Sequence, residues 1–507
     1  MVRIGFPQQH RLQKRRSPRQ IGLNISKPLN FDEFFTFADA LRNTKLETSA
    51  GMQVIPVDAQ GYPAVAIPYN SGGTDYKLAA VTGINTNRDY TTDLIAGGDQ
   101  FYLEITGGNA EIRVPGVGGG FITHTTSGFI GVPPNTEEVN VIINQADLGA
   151  RWALYRPGET IGDVFESNLL TDLLGFKCLR GMDWTQTNNS EHFTWSDRIL
   201  PGALGEGSNS RGASWETLID LANLLNTDLW ICIPHAADDN YIDNLAQLMQ
   251  DNLNDNLTLY VEYSNECWNF ASAFRDQLEH CYAVGMGVYG PGSGVNDITI
   301  VARGYGIECE RTFQRFKHTY SKKARYMCCW QSAANSTHRM AINECVNEID
   351  SVGTAPYLFI FSSNPLGHYQ RDQDLDLTIQ RIYDEALPLS EEWIQKYQDL
   401  IDDEYGSAFE HIMYEGGNHV TGYDDTFFGT VSAEDQETYA YSLVEREEFF
   451  DIYQKLDDIW ERISGNTTRC YFNHGGKHRS GNAFAHKPFT GYEGPRWDVL
   501  RYLVENQ

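Results

Sequence analysis

Two glutamates each stand at the end of a short apolar run, a position where a carboxylate could take part in chemistry. Glu266 lies in the segment YVEYSNECWN at 260–269, and Glu415 lies in HIMYEGGNH at 411–419. Such runs indicate buried strands, and a parallel barrel places its reacting groups at the carboxyl ends of its strands. Cleavage of a glycosidic bond needs two carboxyl groups, one as proton donor and one as nucleophile or base. The pair therefore predicts an enzyme that acts on a carbohydrate.

The strands that would position these glutamates alternate with helices along most of the chain. The predicted helices lie at 214–225, 241–253, 301–318 and 434–463. The predicted strands lie at 177–182, 228–234, 257–263, 324–330, 349–356, 409–415 and 468–474. This alternation indicates parallel βαβ units, and a closed barrel needs eight strands. We expect residues 20–25, followed by an amphipathic segment at 31–41, to supply the eighth strand. The alternative places it near 151–155, behind a separate N-terminal module.

Residues 51–150 show a different pattern, with short alternating runs rich in Val, Ile and Thr. Turn residues spaced by roughly 8–12 positions are typical of an antiparallel β-sandwich. The predicted fold class is therefore α/β, a (β/α)8 barrel with an additional all-β sandwich near the N-terminus. We expect four regions: a basic arm at 1–19, the first β/α unit at 20–50, the sandwich at 51–150 and the catalytic barrel at 151–507.

The charge of the chain argues against nucleic acid as a partner. Its 68 acidic and 39 basic residues give a net charge of −29, which would repel a polyanion. The exception is the sequence HRLQKRRSPR at 10–19, which contains no acidic residue. This arm is either a solvated segment or a docking peptide for an acidic protein partner within a larger assembly.

The sequence also argues against a membrane partner. No run approaches the roughly 18 apolar residues of a membrane span, and the first 25 residues lack the apolar core of a secretory signal. The nine cysteines are scattered without a CxxC pair, which favours free thiols made in a reducing compartment. We therefore expect a protein that is either cytoplasmic or part of a virus particle.

The motifs around both glutamates resemble those of the clan A glycoside hydrolases. The (β/α)8 barrels of that clan carry an Asn-Glu pair at the end of strand four and a second glutamate at the end of strand seven. The matching segments here are SNECWN at 264–269 and YEGG at 414–417, and the likeness extends over 177–474. It implies a retaining hydrolase of β-linked poly- or oligosaccharides, in which Glu266 is the acid/base and Glu415 the nucleophile.

The resemblance also implies roles for other residues at the strand ends. Arg180 would hold Glu415 as an anion, and Tyr357 would donate a hydrogen bond to the same carboxylate. Asn265 would bind the sugar 2-hydroxyl, and His235 would line the sugar subsite. The further substrate-binding candidates are Asp183, Trp184, Trp268, Trp330 and His474.

Aromatic residues at the strand ends leave alternatives open. Trp184, Trp268 and Trp330 would be either sugar platforms or core aromatics. Strand eight of the clan presents a tryptophan under the reacting sugar, whereas the last predicted strand here ends in YFNHGG. Phe484 or His474 would take its place.

The chemistry expected of the glutamates adds three conditions. Side chains alternate along a strand, so Glu262 points to the other face or into the barrel interior, and Glu266 is the better acid. Burial beside Trp268 would raise the pKa of Glu266. Retention of anomeric configuration requires carboxyl groups roughly 5 Å apart.

The C-terminal histidines have irregular spacing, and we expect neither a metal ion nor a cofactor.

The competing hypothesis is a structural or adhesion protein that keeps the barrel as a carbohydrate-binding scaffold. A barrel can lose its chemistry and keep its fold. The basic arm and the missing signal favour assembly into a particle such as a virion or tail. A filled cleft, or carboxyl groups separated by far more than about 10 Å, would favour this hypothesis over hydrolysis.

Overall fold

The computed structural model describes residues 18–28, 36–43, 46–48, 58, 60, 62–67, 76–80, 100–115, 120–131, 139–203, 206, 212–360, 375–419, 433–476, 484–488 and 492–505. The strands within these residues are β1 (Ile21–Asn24), β2 (Leu46–Thr48), β3 (Tyr76–Ala80), β4 (Gln100–Thr106), β5 (Ala110–Pro115), β6 (Phe121–His124), β7 (Gly128–Gly131), β8 (Val139–Ala146), β9 (Arg151–Tyr155), β10 (Cys178–Arg180), β11 (Asp228–Ile233), β12 (Leu259–Tyr263), β13 (Ala324–Cys329), β14 (Ser351–Thr354), β15 (Glu410–Met413) and β16 (Arg469–Tyr471).

The helices within the same residues are α1 (Ser167–Leu173), α2 (Trp215–Leu225), α3 (Asp239–Asn252), α4 (Arg275–Tyr289), α5 (Asp297–Thr319), α6 (Asn335–Cys345), α7 (Leu375–Arg381), α8 (Leu387–Tyr405), α9 (Ala433–Val444), α10 (Glu448–Ser464) and α11 (Pro495–Glu505). A π-helical turn, Ile382–Ala386, joins α7 to α8. Short 3-10 turns lie at Ala40–Asn43, Trp195–Asp197 and Ser272–Phe274.

Eight parallel strands form a closed barrel in the order β1, β10, β11, β12, β13, β14, β15, β16, and β16 pairs again with β1. Gly22 of β1, for example, pairs with Cys178 of β10. The predicted fold class is confirmed, and the strand expected at 20–25 is β1. The alternative position, residues 151–155, forms β9, which pairs antiparallel with β4.

Side chains of the barrel strands alternate between two layers. On β12, Leu259, Val261 and Tyr263 belong to the outer core between strands and helices. Tyr260 belongs to the smaller core inside the barrel, and Glu262 points the same way because side chains alternate along a strand. The groups that face the interior near the carboxyl ends of the strands therefore form the floor of any site at that end.

The strands between residues 46 and 155 form two antiparallel sheets. One has the order β2-β3-β8-β5-β6 and the other the order β7-β4-β9. Their side chains build a separate apolar core that includes Phe101, Ile112, Val141 and Trp152. Part of the predicted sandwich lies outside the described residues, and the boundaries expected for the four regions stay predictions.

Residues 18 and 19 are the part of the basic arm that the structure describes. Arg19 forms ion pairs with Asp457 and, at 2.9 Å, with Asp458, both on α10. It also lies 3.4 Å from Glu461. The acidic surface that this arginine contacts therefore belongs to the same chain, while a protein partner for the rest of the arm stays a prediction.

Two helical expectations differ in detail from the structure. The helix predicted at 434–463 is interrupted, and α9 ends before α10 begins. The Arg446 amide donates to the Leu443 carbonyl, three residues back, which tightens the turn that ends α9. The segment predicted at 31–41 lies partly outside the described residues and ends in the 3-10 turn. Among the described helices, none is both long enough and apolar enough to cross a membrane.

Helices α4 and α5 approach each other at glycines. A Cβ atom on Gly285 would lie 2.0 Å from the carbonyl oxygen of Ile300, and one on Gly304 would lie 1.8 Å from that of Cys281. Gly287, on the same helix as Gly285, would meet no atom within 4 Å. The close contact therefore requires glycine at two positions and not at the third.

We expect Gly285→Ala to lower the free energy of unfolding by about 1–3 kcal/mol, because the added methyl group forces the two helices apart. Gly287→Ala is the matched control and should raise it by about 0.5–1 kcal/mol, since alanine favours a helix. Thermal unfolding followed by circular dichroism would compare the two variants. Equal midpoints would show that α4 and α5 do not meet at Gly285.

Candidate active site

Glu415 follows β15 and contacts an arginine and a tyrosine from two other strands. Arg180 Nη1 donates to its Oε1 at 2.6 Å, and the Tyr357 hydroxyl donates to its Oε2 at 2.8 Å. Arg180 ends β10 and Tyr357 follows β14, so three strands converge on one carboxylate. Burial raises the pKa of Glu415, and Arg180 and Tyr357 oppose that shift by stabilising the anion.

Arg180 is fully buried, and all of its contacts fix its orientation. Its Nε donates to Glu262 Oε2 at 3.0 Å, and its Nη2 donates to Oε1 at 3.1 Å and to Oε2 at 2.8 Å, a two-pronged contact that suits a carboxylate. Nη1 also donates to Asn24 Oδ1 and Nη2 to Asn265 Oδ1, each at 2.8 Å. The guanidinium group is thereby held with one edge toward Glu415.

Glu262 supports the site from inside the barrel, a role that sequence reasoning missed. Its Oε2 accepts hydrogen bonds from Trp230 Nε1 at 2.8 Å and from the Cys232 thiol at 3.2 Å, as well as from Arg180. These donors satisfy a carboxylate that is 1 % exposed. The available signal was an acid in the middle of an apolar strand, because a buried glutamate almost always has a charged partner.

Glu266 lies beyond the end of β12, where the backbone turns sharply. Ser264 and Glu266 have φ values of 54° and 43°, which residues other than glycine rarely adopt. Asn269 Nδ2 donates to Glu266 Oε2 at 2.9 Å, and the Tyr414 hydroxyl lies 3.5 Å from Oε1. Burial, followed by the charge of Glu415, raises the pKa of Glu266 to about 8.

The two glutamates differ in the charges beside them. Arg180 forms an ion pair with Glu415, whereas the contacts of Glu266 within the described chain are with uncharged groups. Glu266 therefore favours the protonated form and Glu415 the ionised form. Asp183 is a third acid nearby: burial and the charge of Glu415 raise its pKa to about 6, against the influence of Arg180 and Lys27.

A cavity of about 310 Å³ lies beside Glu266. Its walls carry aromatic rings from three strand ends and from α8, namely Trp268, Tyr357, Phe359, Trp393, Tyr414 and His419. Polar groups of Asn269, Gln331 and Ser332 complete the lining. Apolar walls with a few polar groups are typical of small-molecule sites, and aromatic faces suit sugar rings.

Two of the predicted tryptophans lie away from this cavity. Trp184 and Trp330 are 1 % and 0 % exposed and pack in the outer core. Trp330 Nε1 donates to Thr337 Oγ1 at 3.0 Å. A ring with almost no exposed surface cannot stack on a sugar. Both tryptophans are therefore core aromatics, the second of the two possibilities that the sequence left open. Trp268, in contrast, lines the cavity.

The two predicted histidines also lie outside the cavity lining. His235 packs against Phe193 and His280, with ring centroids 5.7 Å from each, and burial followed by His280 lowers its pKa to about 4. His474 Nε2 lies 3.5 Å from Asp172, and the residue is 1 % exposed. Buried rings held among protein groups do not contact a substrate in this arrangement.

Phenylalanines follow β16, where the resemblance led us to expect a tryptophan. Phe472 packs edge to face on Phe484, with ring centroids 5.9 Å apart. The Phe484 ring in turn lies 6.2 Å from that of Tyr357, which binds Glu415. Of the two residues considered as substitutes, Phe484 is therefore the one near the candidate nucleophile, and Phe472 supports it.

Comparison with solved structures shows similarity to glycoside hydrolases at low sequence identity. The CBM22 and GH10 modules of xylanase 10B from Clostridium thermocellum, in complex with xylohexaose, are 12% identical, with coverage of 94% of this chain and 98% of that chain and a TM-score of 0.36. The β-glycosidase of Thermosphaera aggregans is 11% identical, with coverage of 67% and 84% and a TM-score of 0.33. A GH5-4 broad specificity endoglucanase from an uncultured bacterium is 10% identical, with coverage of 67% and 82% and a TM-score of 0.34.

No family model and no curated protein matches the chain.

We expect Glu262→Gln to destabilise the fold strongly, because the buried Arg180 loses a charged partner. Removing one member of a buried ion pair costs about 3–5 kcal/mol, against about 0–1 kcal/mol for an exposed pair. Glu410→Gln is the matched control, since Glu410 pairs with Arg325 at 3.3 Å and its side chain is 47% exposed. Thermal unfolding midpoints would compare them, and similar values would contradict the supporting role of Glu262.

Proposed function

We propose that the protein is a retaining glycoside hydrolase that cleaves β-glycosidic bonds in a poly- or oligosaccharide. The observation that carries the proposal is the unequal environment of the carboxyl groups that follow β12 and β15. Arg180 favours the anion of Glu415, whereas the pKa of Glu266, raised to about 8, favours its acid form. One ionised and one protonated carboxyl group are the pair that a double displacement needs.

The two glutamates would act in two steps. Glu415 attacks the anomeric carbon while Glu266 gives its proton to the glycosidic oxygen, so the leaving group departs and a glycosyl ester forms on Glu415. Glu266, now ionised, then takes a proton from water as the water oxygen bonds to the anomeric carbon. The ester bond breaks and both carboxyl groups return to their starting state. Arg180 and Tyr357 hold Glu415 in place throughout.

In this proposal, Asn265 binds the sugar hydroxyl beside the reacting carbon. Its Oδ1 accepts from Arg180, and its Nδ2 donates to Asn188 at 3.1 Å. Asn265 is 1% exposed, and the second N–H group of its amide is the one that would donate to the 2-hydroxyl of a sugar bound against it. A hydrogen bond that strengthens as charge develops on the sugar lowers the barrier to reaction.

In this proposal, the leaving group of the substrate binds in the cavity beside Glu266. Glu266 lines this cavity and Glu415 does not, so a group bound there is the one that receives the proton. Trp268, Phe359 and Trp393 offer aromatic faces on which a sugar ring can stack. The proposed substrate therefore continues past the cleaved bond into this cavity, as an oligo- or polysaccharide does.

Release of reducing sugar from a panel of plant, algal and bacterial polysaccharides tests the proposal. We expect Glu415→Gln to lower the rate by at least roughly a thousandfold, because the amide cannot form the glycosyl ester. Glu410→Gln, at the opposite end of β15, is the control and should keep the wild-type rate. Equal rates for Glu415→Gln and wild type would sink the mechanism. A wild-type protein that binds a glycan and releases no sugar would favour the scaffold hypothesis.

The pH dependence of kcat/KM should be bell-shaped, with both limbs belonging to the coupled pair. Glu266 must be protonated to donate, so the rate should fall as the pH rises through about 8, the pKa that burial and Glu415 produce. Glu415 must be ionised, and burial raises its pKa, so the acidic limb should lie above the usual glutamate range.

An aryl glycoside with a good leaving group provides the control for this profile, because its departure needs no proton. Glu266→Gln should retain part of its activity on that substrate and lose the alkaline limb. An alkaline limb that persists in Glu266→Gln would assign the proton donor to another residue.

A further inference from the structure

Three buried sulfur atoms meet at one point in the outer core. The nine cysteines are all buried and free of disulfides. Three of them, Cys309, Cys328 and Cys345, form a thiol triad in which the sulfur atoms lie within 4.8 Å of one another. Each residue is 0% exposed, and they come from α5, β13 and α6 respectively. The triad lies between the barrel wall and two helices, and none of its members contacts Glu266 or Glu415.

The spacing of the sulfur atoms suits a three-coordinate ion. With ion–sulfur bonds of about 2.3 Å, three sulfurs lie about 4 Å apart around a planar ion and closer together around a pyramidal one such as trivalent arsenic. Atoms that already lie within 4.8 Å of one another can reach this spacing through small side-chain movements. Side chains alternate along β13, so only one of its two adjacent cysteines can join the triad. Cys328 faces the outer core, whereas Cys329 belongs to the core inside the barrel.

The burial of the triad determines which ion charge the site can hold. The three cysteines belong to the outer apolar core and are fully buried. Three thiolates in such an interior require a bound ion that leaves no net negative charge, because an uncompensated charge is costly there.

We propose that the thiol triad binds a three-coordinate thiophilic ion. Trivalent arsenic is the ion whose charge balances three thiolates. Arsenous acid, As(OH)3, reacts with three thiols to give As(SR)3 and three water molecules. Three As–S bonds replace three As–O bonds, each thiol proton leaves with a hydroxide as water, and no oxidant is needed. The product is neutral, whereas three thiolates around Zn²⁺ or Cu⁺ would leave negative charge in the core.

Arsenite is the probe, and it is given both to cells that express the protein and to the purified protein. The two preparations cover an ion enclosed during folding and an ion taken up later. Native mass spectrometry would count arsenic per chain, and X-ray absorption would count the atoms around it. We expect one arsenic per chain, bound by three sulfurs and no oxygen. Arsenic absent from both preparations, or bound by fewer than three sulfurs, would overturn the proposal.

Matched alanine variants locate the ion among the nine cysteines. Cys345→Ala should lower the arsenic content by about tenfold or more, because a triad with one sulfur removed cannot complete the site. Cys281→Ala is the control, since Cys281 is also fully buried in the outer core but is not a member of the triad, and its removal should leave arsenic binding unchanged. Arsenic that survives Cys345→Ala would overturn the assignment. If Cys345→Ala does not fold, X-ray absorption of the unchanged protein still decides.

Discussion

The buried guanidinium group of Arg180 is the interaction on which the rest of the site depends. It is the single cation that contacts both Glu262 and Glu415 within the described residues. A buried charge is stable only when partners surround it, so these carboxylates and Arg180 require one another. Arg180 is hydrogen bonded to these two acids and not to Glu266, whose pKa is raised to about 8 by burial and then by the charge of Glu415. The contrast between the two candidate catalytic carboxyl groups thus comes from burial, which both share, and from the ion pair with Arg180, which Glu415 alone has.

Barrel closure and the orientation of Arg180 depend on the same strand. β1 pairs with β10 and β16, although the two antiparallel sheets lie between β1 and β10 in the chain. Asn24 at the end of β1 accepts a hydrogen bond from Arg180 and donates to the carbonyl groups of Tyr414 and Tyr471. The strand that completes the hydrogen-bonded ring therefore also fixes the side chain that holds Glu415.

Apolar periodicity was sufficient to predict the order of β10 to β16, because each of those βα units is local in sequence, whereas the position of the first strand had two candidates. Periodicity could not predict long-range contacts. The hydrogen bond from Asn24 to Tyr414 joins residues 390 positions apart, and no local sequence pattern indicates such a pair. The direction of side chains past the strand ends was also beyond it. Trp184 packs in the outer core and Trp268 lines the cavity, because turns such as that with positive φ at Glu266 replace the two-residue period of a strand.

Small side chains explain how the barrel holds so many thiols. A Cβ atom on Gly22 would lie 2.5 Å from Cys470 Sγ, and one on Gly353 would lie 2.4 Å from Cys329 Sγ, so glycines on neighbouring strands leave room for sulfur. A thiol is also a weak donor, which lets Cys232 complete the shell of Glu262 without adding a charge that competes with Arg180. Where α5, β13 and α6 meet, the same compact side chain occurs three times, and the sulfur atoms lie within 4.8 Å of one another. Cysteine therefore fills narrow gaps in two different settings. Inside the barrel, Cys232 lies beside the carboxylate of Glu262, and in the outer core the sulfur atoms of the thiol triad lie beside one another.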